Sequence, residues 1–309
     1  MLIIGENIQI ISTLVKNAVE SRDAKPLQDL ARKQVEMGAG MIDLNIGRRK
    51  KDGHEVMPWL VDIMHQAVPG TGLSLDSTNA VAVEAGLKRC KELGVEAIIN
   101  SASADPERLE SMMPLAAEYD CKIIALTMAA NIPASADSRV ELAMSVIVPK
   151  AMELGIPVER LYLDPLALTV NGMQEHAMET INAVRMFKMM LDPPPMTTIG
   201  LSNVSNTTPH EGRSLLNRTF LAMLMAAGLD SAIADPLDEK QNEVIRIIEQ
   251  RDDSTPVGRL LLTFYDKTAA MESLERDDVD MNDPDQVAIF KTVQVLENKT
   301  IYAASYLEI

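Results

Sequence analysis

Eight short apolar runs, each closing on a polar side chain, recur roughly every 25 to 40 residues along this chain. They are Leu2–Glu6, Met41–Asn45, Leu73–Asp76, Ala97–Asn100, Lys122–Thr127, Leu161–Asp164, Thr197–Asn203 and Ser231–Asp235. Runs this short suit buried strands rather than helices. Stretches with helical periodicity separate nearly all of them, and alternating strand and helix implies a parallel sheet. Eight such units predict an α/β fold, a closed (β/α)8 barrel, which needs roughly 250 residues. The interior of such a barrel is filled with side chains, so chemistry falls to the carboxyl ends of the strands. The polar residues lie at those ends.

The intervening helices follow from their apolar faces. Residues 26–38 place Leu27, Leu30, Ala31 and Val35 on one side, and residues 79–94 end at Gly94, a natural C-terminal cap. Residues 105–119, 138–155, 174–191 and 214–228 have the same character. After Pro236 a barrel calls for one closing helix, yet about 70 residues remain. Segments 240–251 and Gly258–Glu275 are expected to be helical, Asp277–Asp285 to be a solvated loop, and the last helix to begin near Gln286. Fourteen Asp or Glu against six Lys or Arg fall within 238–285, a net −8 of the chain's −16. The expected organisation is a single domain over residues 1–309, with an acidic, largely helical insertion at 238–285 between the last strand and the last helix. That insertion is either surface decoration or a subunit or partner contact.

The acidic balance disfavours nucleic acid and anionic membranes as partners, because both need basic patches. No glycine-rich phosphate loop is present. Cys90 and Cys121, the two cysteines, have neither metal-knuckle nor redox-pair spacing. No apolar run approaches 18 residues, and the expected location is the cytoplasm.

The predicted mouth collects Glu6, Asn7, Asp43, Asn45, Asp76, Ser77, Asn79, Asn100, Ser101, Asp164, Ser202, Asn203 and Asp235, but no histidine. His54, His65, His176 and His210 fall in loops or helices without paired spacing, so no metal of the protein's own is expected. No Gly-x-Ser-x-Gly elbow suggests acyl transfer. Converging carboxylates and carboxamides suit a ligand rich in N–H donors. A carboxylate accepts two parallel hydrogen bonds from an amidine-like edge. The 2-amino-4-oxo-pyrimidine edge of a pterin has that shape, with Asp76 and Asp164 placed to grip it and Asn100 to meet the 4-oxo group. The plainer alternative is that these residues cap the helices that follow them.

The segments MLIIGENI, IDLNIG (42–47), LDSTN (75–79), INS (99–101), LDPL (163–166), GLSNVS (200–205), LLNRTFLAM (215–223) and DSAIAD (230–235) resemble the methyltetrahydrofolate:corrinoid-protein methyltransferases. These are pterin-binding TIM barrels related to the folate domain of cobalamin-dependent methionine synthase. The resemblance covers residues 1–238 and resumes in about the last twenty. It implies methyl transfer between N5 of tetrahydrofolate and the cobalt of a corrinoid. By position, Asp76, Asn100 and Asp164 resemble the pterin clamp, with Asp43 nearby and Glu6 and Ser202 in the binding ring. Asn203 resembles the catalytic residue that hydrogen-bonds N5. Asn206, Arg213 and Lys188 resemble positions near the folate or the site rim. Loop 206–213 is about two residues longer than the family pattern, and 129–137 is shorter.

The chain carries no cobalamin motif of its own. Asp52-Gly53-His54 begins like one, but Met57 stands where glycine is required. The resemblance therefore implies a corrinoid-binding partner protein that docks over an open mouth, and a homodimer. Loop 206–213 and the basic run Arg48-Arg49-Lys50-Lys51 flank that mouth; the run is either a steering surface for a partner or folate tail, or a solvated loop. Two rival activities remain: a non-catalytic pterin-binding scaffold, and a dihydropteroate synthase-like enzyme. The latter would need an N-terminal Asn-x-Thr loop and basic residues for pyrophosphate. The carrier (tetrahydrofolate or another reduced pterin) and the direction are open. Methyl flows either towards acetyl-CoA synthesis or, as the unusual insertion favours, from methoxy compounds by O-demethylation.

Overall fold

The apolar runs pair in chain order. In a computed structural model, described for residues 1–308, the strands are β1 (Leu2–Gln9), β2 (Met41–Asn45), β3 (Gly72–Asp76), β4 (Ala97–Ser103), β5 (Lys122–Leu126), β6 (Leu161–Asp164), β7 (Met196–Thr197) and β8 (Ser231–Ala234). They form one parallel sheet in the order β7-β6-β5-β4-β3-β2-β1-β8. A bridge from Gly200 to Ile233, with Ile233 N donating to Ile199 O at 2.8 Å, brings the two edges together into the expected barrel.

The two-residue period of a strand sorts the side chains. Ile4, Met41, Ile98, Ile124 and Tyr162 are buried in one cluster that plugs the barrel floor. Their strand neighbours Ile42, Leu44, Leu73, Leu75, Ile99, Ile123, Leu161 and Leu163 pack outward against the helices. Two residues beyond the plug, on the same side of the strands, come Glu6, Asp43, Asn100 and Asp164. Alternation alone thus sets the polar ring one layer above the apolar plug.

The helices are α1 (Thr13–Ser21), α2 (Ala24–Glu36), α3 (Gly53–Ala67), α4 (Ala80–Leu93), α5 (Pro106–Glu118), α6 (Ala136–Leu142), α7 (Val148–Glu153), α8 (Val170–Met173), α9 (His176–Met190), α10 (His210–Ala226), α11 (Glu239–Gln250), α12 (Pro256–Ala269) and α13 (Pro284–Leu296). The expected helix 138–155 is a continuous path whose middle, Ala143–Ile147, widens to a π-turn. Helices α1 and α3 were not legible from periodicity, and α10 starts at His210, inside the expected loop 206–213. The seventh strand is also shorter than Thr197–Asn203. Its ladder ends at Thr197, and Leu201–Ser205 coil into a 3-10 turn in which Asn203 N donates to Gly200 O at 3.3 Å.

After β8, α12 ends at Ala269, earlier than expected, and Arg276–Asp278 add a single turn. Val244, Ile248, Leu261 and Phe264 of α11 and α12 share a buried cluster with Leu216 and Phe220 of α10 and with Val293 of α13. Burial of these apolar faces holds residues 239–269 against the outer layer of the barrel.

Candidate functional site

The polar ring is built by neighbouring strands. Asp43, only 3% exposed, accepts hydrogen bonds on Oδ1 from Ser74 Oγ (2.5 Å) and Asn100 Nδ2 (3.0 Å). Asp76, half-buried at the end of β3, accepts from Asn45 Nδ2 at 2.5 Å. The Asn45 amide is itself held by Gly47 N, which donates to its Oδ1 at 3.1 Å. Asp164 is buried, and Leu166 N donates to its Oδ1 at 2.7 Å. Asp43, Asp76, Asn100 and Asp164 therefore share one mouth, and each carboxylate keeps an oxygen with no side-chain partner.

Glu6 and Ser202 join across the barrel seam, with Ser202 Oγ donating to Glu6 Oε1 at 2.5 Å. Beside them Asn7 Nδ2 donates to Asp235 Oδ1 at 2.9 Å. Asn203 and Asn206 are exposed on and just after the 3-10 turn, and Asn206 Nδ2 donates to Asn203 Oδ1 at 3.1 Å. That bond occupies the Asn203 oxygen and leaves its amide N–H groups free. Arg213 is exposed in the first turn of α10, where its Nε donates to Thr208 O at 3.0 Å.

Lys188 does not belong to this site. Helix α9 leaves the mouth after β6 and runs back down the barrel, so its last turn lies at the opposite end. There Lys188 Nζ donates to Asp230 Oδ2 (2.8 Å) and Pro195 O (3.1 Å), which precede β8 and β7. Thr197 N and Oγ1 donate to the same Asp230 oxygen at 2.7 and 2.8 Å. Lys188 holds the floor of the barrel together.

Two arginines beside the ring had no legible signal, because each sits in an ordinary amphipathic helix. Arg108 of α5 reaches back to donate Nη2 to Ser101 O at 2.5 Å, while its Nη1 is buried without a partner. Arg139, wholly buried in α6, donates to Pro133 O (3.1 Å), Leu166 O (3.3 Å) and Thr180 Oγ1 (2.8 Å), and contacts His176 Nδ1 (3.0 Å). Arg139 therefore anchors the loop after β6. In that loop Leu166 takes a left-handed φ of 67°, which turns its N–H onto Asp164.

Burial dominates the electrostatics. It pushes Glu6 and Asp164 up to about 7, against the lowering effect of their hydrogen bonds. Asp43 and Asp76 are also raised, first by burial; the charge of Asp43 lifts Asp76 further, and Arg108 opposes it. Burial thus makes these carboxyl groups hold their protons to higher pH than an ordinary carboxylate does. A ligand offering N–H donors favours the ionised acceptors and drives those protons out. Burial also pushes both thiols, Cys90 and Cys121, up to about 12, so neither is a ready nucleophile. Among the described residues no three His, Cys, Asp or Glu side chains gather as metal ligands, and no helix is long and apolar enough to cross a membrane.

A barrel whose mouth presents buried carboxylates and carboxamides to an N–H-rich heterocycle is of the pterin-binding class. Residues 14–235 match the family of pterin-binding enzymes. A methylcorrinoid:tetrahydrofolate methyltransferase of Eubacterium limosum is 30% identical over 239 residues, 76% of this chain and 85% of that protein. The methionine synthase of Mycobacterium tuberculosis is 30% identical over 299 residues, 89% of this chain but 25% of the synthase. Among solved structures, dihydropteroate synthase of Yersinia pestis superposes with a TM-score of 0.57 at 13% identity, over 81% of this chain and 94% of that one. The Vibrio fischeri enzyme gives 0.57 at 18% identity, over 82% and 94%. These two likenesses are of fold. The chain belongs to the pterin-binding enzymes and, within them, to the methyltetrahydrofolate:corrinoid-protein methyltransferase family.

Proposed function

We propose that this enzyme moves a methyl group between a corrinoid held by a partner protein and N5 of tetrahydrofolate, and that the methylcorrinoid is the donor in the cell. The observation that carries the reading is the convergence of Asp43, Asp76, Asn100 and Asp164 at one mouth, with the free amide of Asn203 at its rim. In this assignment Asp76 and Asp164 accept the paired N–H donors of the pterin edge, Asn100 meets the 4-oxo group, and Asp43 aligns Asn100. Glu6 and Ser202 line the seam, and Asn206 and Arg213 stand at the rim.

The reaction takes methyl–cobalt(III) and the N5–H amine to cobalt(I), the N5–methyl amine and a proton released to solvent. Around the transition state the N5 lone pair is half committed to carbon. In the reverse direction, as the C–N bond of methyltetrahydrofolate loosens, that lone pair develops on N5, and a neutral amide donor at Asn203 stabilises it without titrating, with a contribution that grows towards the transition state. Attack requires cobalt close to the pterin plane, so an open mouth suits a corrinoid delivered from outside. The Eubacterium limosum relative, whose name puts methylcorrinoid first, supports this direction, which is the one that O-demethylation of methoxy compounds requires.

The same proposal includes a homodimer in the cytoplasm and one domain in which residues 238–285 are folded onto the barrel. Anaerobic incubation with methylcobalamin and tetrahydrofolate tests the activity. Loss of the methylcobalamin spectrum with formation of methyltetrahydrofolate is expected. Tight pterin binding without transfer to or from any corrinoid, free or protein-bound, would instead mark a scaffold.

A further inference from the structure

We propose that the corrinoid protein docks on the sector of the mouth above β1, β2 and β3, and that it presents an acidic surface with an apolar centre; this rests on the function proposed above. Ile11, Leu14 and Val81 are 85%, 54% and 61% exposed. They lie on the segments to either side of the basic loop that follows β2, Ile11 and Leu14 after β1 and Val81 at the start of α4. On one side of that loop, a Cβ placed on Gly47 would lie 2.8 Å from Ile10 Cδ1, so the loop packs on the chain leaving β1. On the other side Asn79 Nδ2 donates to Arg49 O at 3.2 Å, tying the loop to the start of α4, where Val81 stands. The three apolar side chains and the basic run thus form one patch, beside the Asn45–Asp76 wall of the pterin ring.

Three of the four cations of this patch are uncommitted. Arg49 spends its guanidinium on Asp52, at 3.0 and 2.6 Å. Arg48, Lys50 and Lys51 are exposed and, among the described residues, form no ion pair. On a chain of net charge −16 such a patch is where an acidic protein is drawn in, while the rest of the surface repels it. Exposed apolar residues inside a charged rim have the anatomy of a protein interface. A polyanionic folate tail would use the cations but has no need of Ile11, Leu14 or Val81.

The test compares two methyl donors in the full-length enzyme: methylcobalamin free in solution, and methylcobalamin bound to a purified corrinoid protein that the wild type uses. The variants are the triple change R48E/K50E/K51E and the double change I11D/V81D. With the protein-bound donor, kcat/KM is expected to fall at least about tenfold in both. With free methylcobalamin it should stay within about twofold. The triple variant should also lose the salt dependence that the wild type shows with the protein-bound donor. Equal losses with both donors, no loss with the protein-bound donor, or a loss confined to the KM of polyglutamylated tetrahydrofolate would each overturn the proposal. A wild type inactive with every corrinoid would bring down the proposed function itself, a distinguishable outcome.

Discussion

Replacing Asn203 by alanine is expected to slow the reverse reaction, methyl transfer from methyltetrahydrofolate to cobalt(I), by about 10²–10³-fold, or about 2.7–4 kcal/mol, the cost of removing one preorganised donor from a developing lone pair. Pterin affinity is expected to hold within about threefold, because the grip comes from Asp76 and Asp164 on other strands. Two structural facts separate these effects. Asn203 is exposed on a 3-10 turn, so truncation should alter stability by no more than about 0.5 kcal/mol. Its oxygen is already taken by Asn206 Nδ2 at 3.1 Å, so the side chain has its donors to offer. Asn206→Ala should then cost only the orientation of that amide, a few-fold in rate. Single-turnover loss of the cob(I)alamin absorbance gives the chemical step, and calorimetric titration with methyltetrahydrofolate gives the affinity. A tenfold loss of affinity with turnover intact would refute the reasoning, since uniform binding energy would then be what Asn203 supplies.

Tetrahydrofolate binding is expected to release protons and to tighten as pH rises from about 6 to 8. The folded pKa values of Asp164 and Asp76 lie near 7 and 8, above the ordinary 3.8, so the empty ring holds protons through this window that the ionised, ligand-bound ring does not. By the same sign, these groups make the empty protein less stable as pH rises through that range. Calorimetry in two buffers of different ionisation enthalpy measures the released protons, and equal heats would exclude the effect. Arg108→Leu removes the charge that opposes the rise of Asp76 and should shift this binding profile to higher pH, with Arg108→Lys largely restoring it. Asp43→Ala strands the buried Asn100 amide and Ser74 hydroxyl and should cost about 1–3 kcal/mol in thermal or denaturant unfolding, together with pterin binding. Lys188→Met should cost about 1–3 kcal/mol of stability by leaving Asp230 without its cation, yet leave kcat/KM unchanged. A large loss of activity with normal stability would return Lys188 to the site.

Local pattern and period were enough for the eight-stranded barrel, because each strand repeats one short apolar code and alternation forces a polar layer above an apolar plug. The same code places Asp43, Asp76, Asn100 and Asp164 at one mouth. Only the tertiary structure decided the rest, because the deciding quantities are long-range. Lys188 looked like a rim residue, and the path of α9 carries it to the floor. Arg108 and Arg139 carry no signal that distinguishes them from the other polar residues of their helices, and they turn inward to the carbonyls of Ser101 and Leu166. The seventh strand stops at Thr197, beyond which Gly200 and Asn203 close a turn bond that an apolar pattern does not display. Which carboxylates hold protons was equally invisible, since a pKa follows from burial and neighbouring charge rather than from residue type. Sequence periodicity determined which side of the barrel each residue faces, and three-dimensional packing determined what each one touches there.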